Sequence, residues 1–163
     1  MQIKSSDSQA PYWEFLIQDS QKPEFIVSKC PVIWKQRAHI AVSFDGGKYR
    51  FFVDGQLQGQ VELEKAYLPS SMPFLIGAGP HRRAKGMDYN THDHFRGAIE
   101  EVRITKSACY LTDFKPTGRL TISSDTVLLY HLDEGNGDIA SDASGSKRHG
   151  IIKGGAEWNH RRE

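Results

Sequence analysis

Cysteine is scarce: Cys30 and Cys109 are the only two in 163 residues. That excludes a small fold held by a disulfide network and any thiolate metal cluster; one bridge and two separate thiols are both compatible with the count. An excess of charge of one sign is also missing. The chain carries 21 basic and 20 acidic residues, a formal net charge of +1, so it lacks the concentrated cationic face that displaces counterions from nucleic acid. The one basic run, His81-Arg82-Arg83 to Lys85, sits among Gly, Pro and Asn and reads as a solvated loop. No run of about 20 apolar residues occurs, which excludes a membrane-spanning helix and predicts no membrane insertion. The first six residues lack the basic, apolar and small order of a secretory signal. A complete chain of this kind is expected in the cytoplasm, whereas a fragment or processed piece would look the same.

Signatures of catalysis are equally thin. No serine sits in a Gly-x-Ser-x-Gly elbow. Gly77-Ala78-Gly79 lacks the third glycine and the following helix of a dinucleotide fingerprint. His92-Asp93-His94 offers two imidazoles from one strand face, but a catalytic zinc needs a third ligand and only His81 is near in sequence. Polar loop histidines are the plainer reading.

What the sequence does contain is alternation of period two. Within residues 38–44, Ile40, Val42 and Phe44 fall on one face of an extended strand. Asp45-Gly46-Gly47 supplies a turn, residues 49–53 return, and Asp54-Gly55 turns the chain again toward a third strand over 58–63. Ile40, Val42, Phe44, Phe51 and Val53 are therefore expected in or near the core. Further strands are expected at 13–17, 25–27, 74–76, 95–104, 127–132 and 150–153, with a helical turn possible only within 105–114. In the segment 95–104, Ala98, Val102 and Ile104 share one face. Short strands separated by Gly- and Asp-rich turns predict a sandwich or barrel. The length and the absence of a low-complexity linker predict one domain over 1–163. Two polar loops, 77–94 and 135–149, are long enough to be functional.

Three segments together carry a family resemblance. Residues 34–47, Trp34-Lys35-Gln36-Arg37-Ala38-His39-Ile40-Ala41-Val42-Ser43-Phe44-Asp45-Gly46-Gly47, followed by Phe52-Val53-Asp54-Gly55, resemble the signature hairpin of laminin G-like domains. Phe95-Arg96-Gly97-Ala98-Ile99-Glu100-Glu101-Val102-Arg103-Ile104 is similar to that family's Gly-x-Ile-Asp-Glu-Val-Arg-Ile strand. Leu129-Tyr130-His131-Leu132-Asp133-Glu134-Gly135, with Asp142-Ala143-Ser144-Gly145 and Gly150, resembles its opening strand and loop. The resemblance places the chain among concanavalin A-like lectins and glucanases and implies an all-β, two-sheet antiparallel jelly-roll sandwich. The element that opens most members closes this chain. Either a permuted strand order or a piece lacking its first strands would produce that order, and residues 127–132 are expected to pair with the 95–104 strand.

The resemblance also frames the chemistry. Hydrolases of this fold use two carboxylates on one strand face, commonly Glu-x-Asp-x-x-Glu, suited to acid and nucleophile roles. That motif is absent, and adjacent Glu100 and Glu101 point to opposite faces of a strand, as do Asp133 and Glu134. No enzymatic activity is expected. Related jelly rolls carry a structural calcium, for which Glu100, Asp133, Asn136, Asp138 and Asp142 offer oxygen ligands. The same residue types also simply form turns. Sugar recognition would use an apolar ring flanked by polar groups, and Arg83, Asp88, Tyr89 and Asn90 form the expected ligand-binding group. Trp34 is expected to pack at the sandwich edge, His39 to be hydrogen-bonded scaffold, and Trp158 to cover one end of the core. The function implied is a non-catalytic carbohydrate or glycoconjugate recognition module, within a larger extracellular or cell-surface protein. The alternative is a protein-interaction or spacer domain.

Overall fold

The computed structural model describes residues 2–4, 11–18, 23–63, 73–80, 91, 92 and 94–159. Every regular element among them is a β-strand, and no helix long and apolar enough to cross a membrane occurs among the described residues. The chain divides into two compact units, Met1–Leu68 with Ser107–Gly118, and Pro69–Lys106 with Arg119–Glu163.

The first unit holds two antiparallel three-stranded sheets. One consists of β1 (Gln2–Lys4), β2 (Tyr12–Gln18) and β3 (Pro23–Pro31) in that order; the other is the meander β4 (Ile40–Asp45), β5 (Lys48–Val53) and β6 (Gln56–Glu62). The predicted alternation sets the register of the meander, with Ile40 opposite Val53, Val42 opposite Phe51 and Phe44 opposite Tyr49. Both turns are built as the glycines require. At Asp54–Gly55 the two residues have φ of 49° and 78°, the left-handed pair of a two-residue hairpin turn.

β3 runs beside β6, and one side chain explains the join. The β5–β6 register slips opposite Phe51 and Phe52, leaving Gln58 as the extra residue. Its buried Oε1 accepts hydrogen bonds from the backbone N–H groups of Lys29 (2.8 Å) and Cys30 (3.3 Å) in β3. Gly59 next to it is close-packed: a Cβ there would come 2.8 Å from Ile26 Cγ2. Ile26, Phe51 and Val53 form the buried centre, with Trp13, Phe15, Cys30, Ile40, Tyr49 and Val61 packed around them.

Two expectations about this core need correction. Val42 and Phe44 lie on the expected face but stay 41% and 46% exposed, because β4 is an edge strand of its sheet. Phe52, on the opposite face, is fully buried instead. Residues 107–118 cover it: Tyr110 and Phe114 stack with ring centroids 3.5 Å apart, and both meet Phe52 edge-on. This covering segment contains no helical turn.

The second unit has three two-stranded ladders: β7 (Gly79–Pro80) with β8 (Thr91–His92), β9 (Val102–Thr105) with β10 (Thr126–Tyr130), and β11 (Ile139–Ala140) with β12 (Gly150–Ile151). The predicted pairing of the 127–132 strand with the 95–104 segment is present, as β10 antiparallel to β9. The strand is shorter than the apolar pattern indicated, since 95–100 is irregular and Ala98 is exposed. Residues 74–76 are likewise irregular. Leu128, Tyr130 and Ala140 make the buried core, with Val102, Ile104, Leu132 and Ile152 against it. Cys30 and Cys109 are free thiols.

Candidate functional site

The turn that leaves β3 sorts its apolar residues sharply. Val32 is buried, its N–H bonded to the Pro11 carbonyl at 2.7 Å. The next two residues swing outward: Ile33 is 60% and Trp34 64% exposed. Lys35, at a φ of 65°, and the bond from the Gln36 N–H to the Ile33 carbonyl (3.3 Å) tighten this turn. Trp34 is therefore not the edge-packing residue that its place in the signature hairpin indicated. It is an exposed indole with Lys35, Gln36 and Arg37 following it, all of them exposed.

His39 and Asp54 explain the rest of that signature. Asp54 Oδ1 accepts the His39 N–H at 2.7 Å, and the Asp54 N–H donates to the His39 carbonyl at 2.8 Å. The carboxylate thus closes the hairpin at its open end. Gly55 follows because the Phe114 carbonyl lies where a side chain would start; a Cβ at Gly55 would sit 1.9 Å from that oxygen. The His39 ring meets Phe114 edge-on at 5.5 Å, in keeping with a scaffold role.

In the second unit, Asp142 is the centre of the 135–149 loop. Oδ1 accepts the N–H groups of Leu129 (3.1 Å) and Ser144 (2.9 Å), and Oδ2 accepts that of Arg148 (3.0 Å). Burial pushes its pKa up, but these bonds and one from the Ser144 side chain outweigh burial and hold the carboxyl well below the usual range. Around it, Tyr130 Oη donates to the Arg148 carbonyl (2.5 Å), and Arg148 Nη1 donates to the Val127 carbonyl (3.0 Å). Trp158 Nε1 donates to the Gly137 carbonyl at 2.7 Å, so this indole pins a loop.

A second polar group gathers on Glu101. Its Oε2 accepts the Leu120 N–H (2.9 Å), His131 Nδ1 lies 2.5 Å from Oε1, and Arg119 Nε is 4.0 Å away. Arg119 also pairs with Asp133 at 2.8 Å, and that hydrogen bond lowers the Asp133 pKa.

The expected calcium ligands are not drawn together. Asp142 spends both oxygens on backbone N–H groups, Asp133 faces Arg119, Glu100 is half-buried, and Asn136 and Asp138 are exposed. Among the described residues, no group of three carboxylate, imidazole or thiol side chains is placed to hold a metal ion. The expected ligand-binding group Arg83, Asp88, Tyr89 and Asn90 lies outside the described residues, as do His81 and Asp93; β7 and β8 close the base of that loop.

A laminin G family model, described as the concanavalin A-like lectin/glucanases superfamily, matches residues 1–114. The chain belongs to this superfamily. The match takes in both sheets of the first unit and the two rings that cover Phe52, Tyr110 and Phe114. Laminin G-like domains are typically binding modules without catalysis, and membership points to that coarse role. No curated protein and no solved structure matches the chain.

Proposed function

We propose that this laminin G-like chain is a non-catalytic module recognising carbohydrate or glycoconjugate on a two-sheet jelly-roll scaffold, with Trp34 as a stacking platform. The observation that carries the reading is an indole 64% exposed at the tip of a tight turn. A pyranose presents an apolar face ringed by hydroxyls, and a flat ring beside Lys35, Gln36 and Arg37 complements both. The carboxylates support a binding role over hydrolysis. Glu101, Asp54, Asp113, Asp133 and Asp142 are each engaged in a structural bond. The shifts of Asp133 and Asp142 are downward, opposite to what a general acid needs.

The test is a glycan array probed with the intact chain and with Trp34→Ala. The expected result is selective glycan binding that Trp34→Ala abolishes while its melting temperature stays that of the parent. Glycan binding equal in both proteins would move the platform elsewhere, and no glycan binding by either would reject carbohydrate recognition. In that case the second reading gains, a protein-interaction domain using the exposed apolar side chains of β4, Val42 and Phe44.

A further inference from the structure

Three Asx–Gly steps occur in the chain: Asp45–Gly46, Asp54–Gly55 and Asn136–Gly137. Such a step can modify itself. The backbone nitrogen of the glycine attacks the side-chain carbonyl carbon, closing a five-membered imide, and an asparagine expels ammonia as the carbon–nitrogen bond of its amide breaks. Water then opens the ring at either carbonyl, leaving aspartate or isoaspartate. Glycine favours the attack because it has no Cβ to crowd the nitrogen.

The fold treats the three steps differently. At Asp54–Gly55 the carboxylate holds the His39 N–H, and Gly55 is buried against the Phe114 carbonyl, so neither group can move into a ring. Asp45–Gly46 is exposed, but ring closure there would have to expel a carboxyl oxygen instead of ammonia. At Asn136–Gly137 both residues are exposed, nothing lies within 4 Å of a Cβ built on Gly137, and the Asn136 side chain has no hydrogen-bond partner among the described residues. Trp158 and Ile152 hold the carbonyls of Gly137 and Asp138, at 2.7 Å each. Those bonds hold the main chain just beyond the step, while Gly137 itself stays exposed.

We infer that Asn136–Gly137 is a site of spontaneous deamidation, a covalent modification that the folded protein permits. Its product changes the loop in two ways. A new carboxylate joins Asp133, Glu134 and Asp138 and takes the formal net charge of the chain from +1 to zero. Isoaspartate also inserts a methylene into the main chain before Gly137, which displaces the carbonyl that Trp158 holds.

The test ages the intact chain at physiological temperature across neutral to mildly alkaline pH, with peptide mass mapping that separates aspartate from isoaspartate. Asn136 is expected to convert at least about tenfold faster than the other asparagines, Asn90 and Asn159, a ratio set by a modest difference in barrier. The rate should rise with hydroxide, because the glycine amide attacks as its anion. Asn136→Gln, whose ring closure is slower, should remove the acidic species on isoelectric focusing. The accompanying change in tryptophan emission should vanish in Trp158→Phe while conversion continues. Conversion of Asn136 no faster than that of Asn159 overturns the inference. So does conversion in the folded chain more than about tenfold slower than in urea, since the fold would then be protecting the site.

Discussion

Replacing Asp142 with alanine is the sharpest probe of the second unit. The substitution strands three N–H groups at once, those of Leu129, Ser144 and Arg148. A hydrogen bond to a charged acceptor contributes about 1.5–3 kcal/mol, and a buried donor left without a partner costs about 1–3 kcal/mol. Leu129 is fully buried, so its N–H has no water to turn to, whereas Arg148 is exposed and Ser144 half-buried. One full penalty and two partial ones give a loss of about 3 kcal/mol, high for a single substitution. At ~2–4 °C per kcal/mol for a chain of this size, the melting temperature should fall by ~6–12 °C. Asp142→Asn keeps the shape and one acceptor oxygen but turns an NH2 group toward a donor, so it should fall in between.

The pH dependence has a definite sign. The folded-state pKa of Asp142 is depressed, so its stabilisation is complete above the unfolded value of about 4 and is lost as pH falls below that. The gap between parent and Asp142→Ala should therefore narrow in acid. Near-UV circular dichroism melts measure the gap, and hydrogen exchange at the Leu129 amide reads the bond directly. An Asp142→Ala melt within ~1 °C of the parent at neutral pH, or a gap unchanged down to about pH 2, would refute the account.

Gly55→Ala should destabilise the first unit by at least about 2 kcal/mol, since it adds backbone strain at positive φ to a collision with the Phe114 carbonyl; equilibrium urea unfolding measures it, and a midpoint equal to that of the parent would contradict the packing. Calcium should matter little: with Asp142 committed to N–H groups and Asp133 to Arg119, melts in chelator and in millimolar calcium should coincide. A rise of several degrees that disappears in Asp142→Ala would instead make that carboxylate a ligand.

Much of the first unit was legible because its contacts are local. Alternation from Ile40 to Phe44, two Gly-containing turns and the returning strand fix a register, and no other part of the chain has to be known to read it. Phe52 was not legible, because its burial depends on Tyr110 and Phe114, far along the chain and without periodic pattern. The exposure of Trp34 was hidden for a related reason. A tryptophan beside a strand signature reads as core until a turn with Lys35 at positive φ rotates it outward. The 135–149 loop was recognisable as a polar hub but ambiguous in kind. Asp, Ser and Gly at such spacing serve a cation and a turn equally well, and only the N–H groups aimed at Asp142 distinguish them. The candidate sugar-binding residues of the 77–94 loop fall outside the described residues.

The cover over Phe52 has a consequence for how the chain is made. Asp113, which caps the Leu57 N–H beside it, stands 56 residues further along. At ribosomal speeds of ~5–20 residues per second, the meander emerges roughly 3–11 s before the segment that shields its outer face. Hairpins form in microseconds, so for that interval the finished meander leaves Phe52 without the rings of Tyr110 and Phe114. That face is closed only once synthesis has passed Phe114.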